Sequence, residues 1–72
     1  MQKRSLTIAG HRTSIALEPE FWAALDEIAA RQNMSLAKLV ASIDAAQPTA
    51  NLTSALRVAA LQHFRKTANR EP

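Results

Sequence analysis

The chain has 72 residues, contains no cysteine and carries a formal net charge of +3 at neutral pH. A chain of this length forms one domain at most and buries little core, so a partner subunit is the expected source of further stability. The absence of cysteine excludes disulfides and thiolate metal sites. We expect a cytoplasmic protein, because residues 1–10 lack the apolar block of a signal peptide and no apolar run is long enough for a membrane helix.

The charged residues are unevenly distributed along the chain. Residues 1–17 hold three bases and no acid, residues 18–44 hold two bases and five acids, and residues 45–72 hold four bases and one acid. A basic head before an acidic middle segment indicates that the head meets an anion. A solubilising tail is the alternative explanation.

Alternation of polar and apolar residues predicts one strand near the amino end. Its two faces are Thr13, Ile15 and Leu17 on one side, and Arg12, Ser14 and Ala16 on the other. Residues 3–9 alternate more weakly, and Gly10-His11 could turn them into a hairpin. Since Gly-His is not among the strongest turn pairs, the sequence favours an extended basic arm over residues 1–10.

The first predicted helix opens at Glu18-Pro19-Glu20 and runs to about Arg31. Proline is tolerated in a first helical turn, where its missing N–H has no partner, and the two carboxylates favour the positive end of the helix dipole. Asn33 can adopt the left-handed conformation that often ends a helix.

Two more helices follow. Ser35 is a good N-cap for the second, which the sequence around Pro48 ends. Asn51 can cap a third helix over roughly residues 52–66, and residues 67–72 form a tail. The predicted domain therefore spans residues 11–66. The broad apolar face of the third helix predicts that it packs against two neighbours.

The predicted core, or dimer interface, consists of apolar residues at strand or helix spacing. These are Ile15, Leu17, Phe21, Trp22, Leu25, Ile28, Leu36, Leu39, Val40, Ile43, Leu56 and Phe64.

A single strand has unpaired N–H and C=O groups and needs a mate from another molecule. Two identical copies pairing antiparallel about a two-fold axis supply it most simply. Such a two-stranded ribbon would turn its polar face outward, and a ribbon of this kind fits the major groove of B-DNA.

The stretch "RTSIALEPEFWAALDEIAARQNMSLAKLVASI" resembles a ribbon-helix-helix DNA-binding domain of the MetJ/Arc superfamily. The alternating strand, the acidic and proline-bearing start of the first helix and the "N-x-S" turn carry the resemblance. With "KRSLTIAGHRTSI" and "NLTSALRVAALQHFR", the whole chain is similar to a small bacterial subgroup with a third helix. The resemblance implies a mostly α fold with one N-terminal strand, an intertwined homodimer, and a transcriptional regulator that binds double-stranded DNA.

The resemblance also implies which residues meet DNA. Base contacts fall on Arg12, Ser14 and Ala16, and backbone contacts on Met34, Ser35 and Leu36, with Lys3, Arg4 and His11 of the arm as additional backbone contacts. Ala16 departs from the family pattern, which often has a long polar side chain there. Alanine can contact a thymine methyl but cannot donate a hydrogen bond.

Other functions have weaker support in the sequence. No enzyme, metal or cofactor is expected, because Asp26 and Glu27 are adjacent and point in different directions, and His11 and His63 lie far apart. A protein-interaction module acting through the third helix is the main alternative. An antitoxin-like protein would combine both roles but usually adds a partner-binding tail. Peripheral membrane binding by the third helix is a third possibility.

Overall fold

Two strands and three helices follow one another in the computed structural model, which describes residues 1–46 and 51–69. The strands are β1 (Gln2–Ile8) and β2 (His11–Leu17), and the helices are α1 (Pro19–Arg31), α2 (Leu36–Ala46) and α3 (Leu52–Asn69). The predicted order of a polar-faced strand followed by three helices is confirmed. Pro48 and residues 70–72 of the predicted tail lie outside the described residues.

A tight turn at Ala9-Gly10 joins β1 and β2 into an antiparallel hairpin. Both turn residues have positive φ, 52° at Ala9 and 82° at Gly10. Two successive positive φ angles characterise a type I′ turn, whose twist matches that of the flanking strands. The register pairs Ile8 with His11 next to the turn and Gln2 with Leu17 at the open end.

The preference for an extended arm and a single strand is therefore wrong, since residues 2–8 form β1. The turn lies one residue earlier than the Gly10-His11 pair that the sequence offered. Alanine with positive φ is uncommon and gives a weak turn signal. One edge of β2 thus finds its hydrogen-bond partners within the same chain, and pairing between two copies stays a prediction.

The helix ends follow the predicted capping pattern. Asn33 has φ 54° after α1. The Ser35 Oγ accepts a 3.1 Å hydrogen bond from the Lys38 N–H at the start of α2. At the start of α3, the Asn51 Oδ1 accepts a 3.2 Å bond from the Ser54 N–H. These bonds satisfy N–H groups that have no acceptor inside the helix. The third helix is three residues longer than predicted, ending at Asn69.

The core lies between the inner face of the hairpin and the three helices. Its largest fully buried side chains are Trp22, Leu17, Leu25, Leu56 and Val40. The Trp22 Nε1–H donates a 2.8 Å hydrogen bond to the Gln2 carbonyl oxygen, which ties α1 to β1. As predicted, α3 packs against two neighbouring helices, α1 and α2.

The predicted core residues differ in how deeply they lie in the single chain. Ile15 and Leu39 are also buried, whereas Phe21, Ile28, Leu36 and Ile43 are partly buried against the core. Buried residues that the prediction omitted are Ile8, Ala24, Ala29, Ala55 and Ala60.

Phe64 was expected in the core or dimer interface but is 45% exposed in the single chain. A spacing of four residues overshoots one helical turn by about 40°, so Phe64 is rotated by roughly 80° from the buried Leu56. This rotation carries its ring out of the core.

Candidate nucleic-acid interface

One face of the hairpin points away from the helices, and we call it the outer ribbon face. It consists of three directly opposed pairs: Lys3 with Ala16, Ser5 with Ser14, and Thr7 with Arg12. All are exposed except the half-buried Ala16. The period-two alternation of a strand explains the arrangement, because Ile8, Ile15 and Leu17 turn inward to the core. The face brings together the three predicted base-contact residues and Lys3.

The opposed side chains of this face lie close together. The pair that closes a two-residue hairpin, here Ile8 and His11, is hydrogen-bonded through its backbone, and the pairs then alternate. Ser5 and Ser14 therefore form a non-hydrogen-bonded pair, the class with the closer side chains. Their Oγ atoms are 3.2 Å apart and hydrogen-bonded.

The charge on the outer ribbon face is positive. Lys3 and Arg12 lie at its two ends, and none of its six residues is acidic. Among the ion pairs of the described residues, none involves either cation. Both charges are thus available to an anion in solution, such as a phosphate.

Arg4 and His11, the other predicted contacts of the arm, lie off this face. Arg4 points toward α1, where its guanidinium makes hydrogen bonds of 3.1 Å and 3.3 Å to the Asp26 carboxylate. The same group lies 4.7 Å from the centre of the Trp22 ring. His11 is exposed beside the turn, opposite the inward-facing Ile8. The geometry thus separates these two residues from Lys3.

The start of α2 offers a second anion-binding feature. The first intrahelical bond runs from the Leu39 N–H to the Ser35 carbonyl at 3.0 Å, so the N–H groups of Leu36 and Ala37 precede any helical acceptor. Such N–H groups, at the positive end of a helix dipole, can bind a phosphate. The Met34 N–H is already used, because it donates to the Ala29 carbonyl at 3.0 Å.

Three residues of the candidate interface were not predicted from the sequence: two on the outer ribbon face and one at the start of α2. Ser5 and Thr7 share the outer ribbon face with Lys3, and the weak alternation of residues 3–9 was the signal that could have found them. Lys38 is exposed in the first turn of α2, beside the free N–H groups. A base in a first helical turn opposes the dipole, which makes it a candidate for a bound anion.

Some of the remaining charged residues pair with one another, within α1 or between α3 and the α1 region. Arg57 of α3 contacts the Glu18 carboxylate at 3.2 Å, and Glu27 contacts Arg31 at 3.1 Å and His63 at 3.4 Å. A hydrogen bond from its own backbone N–H and the nearby Arg57 guanidinium hold the pKa of the Glu18 carboxyl below its ordinary value, although desolvation opposes the shift.

Neither a cluster of potential metal ligands nor a membrane-spanning helix occurs in the part of the chain that the structure describes. No three His, Cys, Asp or Glu side chains there come together as metal ligands. None of the helices described has the length and hydropathy needed to cross a bilayer.

Comparison with known proteins places these features in a family. A family model described as a ribbon-helix-helix domain matches residues 1–64. Searches of curated proteins and of solved structures found no match.

Proposed function

Since the chain belongs to the ribbon-helix-helix domain family, whose members generally bind DNA in transcription regulators, we propose that it is a sequence-preferring DNA-binding protein that acts as a homodimer. Its ribbon enters the major groove of double-stranded DNA, and its role is transcriptional regulation in the bacterial cytoplasm. The outer ribbon face is the observation that carries the proposal. It combines exposure, two available cations and hydroxyl groups, which can contact phosphates and base edges.

The dimer uses the free edge of β2. In a non-hydrogen-bonded pair the backbone N–H and C=O groups point away from the partner strand. The groups of Arg12, Ser14 and Ala16 therefore point away from β1, toward the open edge. A second copy presenting the same edge antiparallel satisfies these groups and forms a four-stranded sheet with the two β2 strands at its centre.

The dimensions of the proposed four-stranded sheet favour base contacts for its central strands and phosphate contacts for its outer strands. Strands lie about 4.8 Å apart, so the two outer β1 strands are separated by roughly 14 Å. The major groove is about 12 Å wide. The β2 pair, with Arg12, Ser14 and Ala16, fits inside the groove and reads bases. The β1 strands lie over the groove walls, where Lys3 contacts phosphates, and the start of α2 at Ser35 and Leu36 binds a further phosphate.

Selection of genomic DNA by the purified full chain, followed by sequencing, tests the proposal. We expect an enriched sequence motif and an affinity that falls steeply with added salt, because phosphate contacts release counterions. Arg12→Ala should reduce discrimination between sites by about tenfold, since an arginine that reads guanine supplies roughly 1–3 kcal/mol. Arg65→Ala, which removes the same charge from α3, is the matched control and should leave discrimination unchanged. If the affinity is the same for every DNA sequence, both before and after Arg12→Ala, the proposed reading of bases by the ribbon is wrong.

A protein-interaction module remains the alternative, and an exposed apolar stripe on α3 favours it. Val58, Leu61 and Phe64 are 45%, 53% and 45% exposed, respectively. If this stripe carries the function, Leu61→Glu should abolish binding of one stoichiometric protein partner, and Arg12→Ala should not. Under this alternative, purified protein shows no salt-sensitive retention on immobilised DNA.

A further inference from the structure

Ser5 and Ser14 face each other across the hairpin in the middle of the outer ribbon face, with their hydroxyl oxygens 3.2 Å apart. A hydroxyl carries one proton and two acceptor lone pairs. When two hydroxyls bond to each other, one proton is used between them. The direction of this bond decides whether Ser14 offers a proton or only lone pairs to a third group.

The surroundings of Ser5 set that direction once DNA is bound. Lys3 lies two residues before Ser5 on the same face of β1. In the proposed complex this strand lies over the groove wall, so Lys3 brings phosphate oxygens to it. Phosphate oxygens only accept hydrogen bonds. The Ser5 proton goes to a phosphate, Ser5 can then only accept, and the Ser14 proton goes to Ser5.

We propose that Ser5 is a positioning residue that fixes the hydrogen-bond polarity of Ser14, so that the ribbon selects a base that presents an amino group in the major groove. This inference rests on the proposed function. Left with lone pairs alone, Ser14 accepts from the N6 amino group of adenine or the N4 amino group of cytosine. It rejects guanine O6 and thymine O4, which are acceptors themselves.

Arg12 complements this selection from two residues away on the same strand face. A guanidinium only donates, so it suits the two acceptors of guanine. The β2 strand thus presents a donor-only side chain and an acceptor-only side chain in sequence. Isolated serine hydroxyls do not discriminate in this way, because a free hydroxyl rotates to donate or to accept.

The test compares binding of the full chain to its selected DNA site with binding to copies in which the contacted amino base is replaced. An inosine–cytosine pair replaces the adenine–thymine pair, or a uracil–adenine pair replaces the cytosine–guanine pair, so that a carbonyl oxygen takes the place of the amino group in an intact base pair. We expect wild-type protein to bind the replaced site about tenfold more weakly. Ser5→Ala should reduce this ratio of affinities, original site over replaced site, to about twofold or less. The Ser14 proton is then free, so Ser14 can donate to a carbonyl oxygen or accept from an amino group.

Three further variants sharpen the result. Ser5→Thr keeps the hydroxyl and should restore the wild-type ratio. Ser42→Ala removes an exposed serine hydroxyl from α2, away from the outer ribbon face, and should leave the ratio unchanged. Ser14→Ala should abolish the preference for the original site over the replaced site. Adding Ser5→Ala to Ser14→Ala should cause no further change in the ratio of affinities. Circular dichroism of each variant checks that the fold is retained.

The possible failures are distinguishable. If Ser5→Ala keeps the wild-type preference, or if the selected base presents a carbonyl oxygen in the major groove, the inference is overturned while salt-dependent, sequence-preferring DNA binding stands. If wild-type protein shows no such binding, the proposed function fails and the inference fails with it.

Discussion

Lys3 and Arg4 are consecutive cations with different surroundings. Successive strand residues point to opposite faces, so Lys3 lies on the outer ribbon face while Arg4 contacts Asp26 and stacks over the Trp22 ring. The sequence grouped both as phosphate contacts in a basic arm, because without a strand there was no reason to separate them. The geometry instead indicates a structural role for Arg4.

Alanine substitutions should separate these two roles. Lys3→Ala should reduce the slope of log affinity against log salt by about one per chain, with little effect on stability. Arg4→Ala should leave that slope unchanged and lower the free energy of unfolding by up to about 1 kcal/mol, because a half-exposed ion pair and a cation–π contact are lost. Urea unfolding and DNA titration at several salt concentrations measure both effects. A reduced slope for Arg4→Ala would restore it as a phosphate contact.

Glu18 makes stability depend on pH at the start of α1. The pKa of its carboxyl is lowered in the folded chain, first by the hydrogen bond from its own backbone N–H and then by Arg57. A carboxyl whose pKa falls on folding stabilises the fold above the ordinary glutamate pKa, and this contribution is lost as pH falls through the lowered value. Glu18→Gln should therefore flatten the acid-side loss of stability in urea unfolding measured from pH 7 to pH 3.

A matched substitution isolates the Glu18 effect. Glu20→Gln removes the same charge two residues later, from the first turn of α1. If Glu20→Gln flattens the acid-side loss as much as Glu18→Gln does, the lowered pKa of the Glu18 carboxyl is not its source.

At the scale of elements, the helices were predictable and the hairpin was not. Helix period and caps are local signals, and Asn33, Ser35 and Asn51 each adopt the predicted conformation or hydrogen bond. A strand is defined by its partner, and the weak alternation of residues 3–9 was not enough to identify β1 without a clear turn signal. Ala9 gave no turn signal, because alanine rarely adopts a positive φ. The two faces of β2 were nevertheless predictable, since alternation alone determines them.

The strained alanine in the turn leads to a test of the hairpin. Ala9→Asn should raise the free energy of unfolding by up to about 1 kcal/mol, because asparagine tolerates the left-handed region and Asn-Gly is a favoured type I′ pair. Gly10→Ala should lower it, although an added Cβ at Gly10 meets no atom within 4 Å, because φ is +82° there. Urea unfolding measures both. A destabilising Ala9→Asn would mean that the turn differs from the one described.

At the scale of the whole molecule, the exposed strand edge and the short chain both favour pairing with a second copy. A domain of 72 residues buries a small core, and its two-stranded sheet leaves an edge of β2 open in the residues described. Alternation determined which β2 side chains face outward, but not which strand pairs with which. The pairing of β1 with β2 satisfies one edge of β2, and the proposed pairing of β2 with β2 of a second copy would satisfy the other.

The dimer can therefore be tested by its mass in solution and by substitutions at the open edge of β2. At micromolar concentration, sedimentation or light scattering should give about twice the 7.9 kDa of one chain. Ser14→Pro removes an N–H that points to the open edge of β2, and it should shift the protein toward monomer. Ser5→Pro removes the equivalent N–H from the outer edge of β1, with similar strain, and should leave the dimer intact. If only Ser5→Pro dissociates the dimer, the interface lies at β1 instead. If the wild-type protein is a stable monomer, the four-stranded sheet proposed to enter the groove does not form.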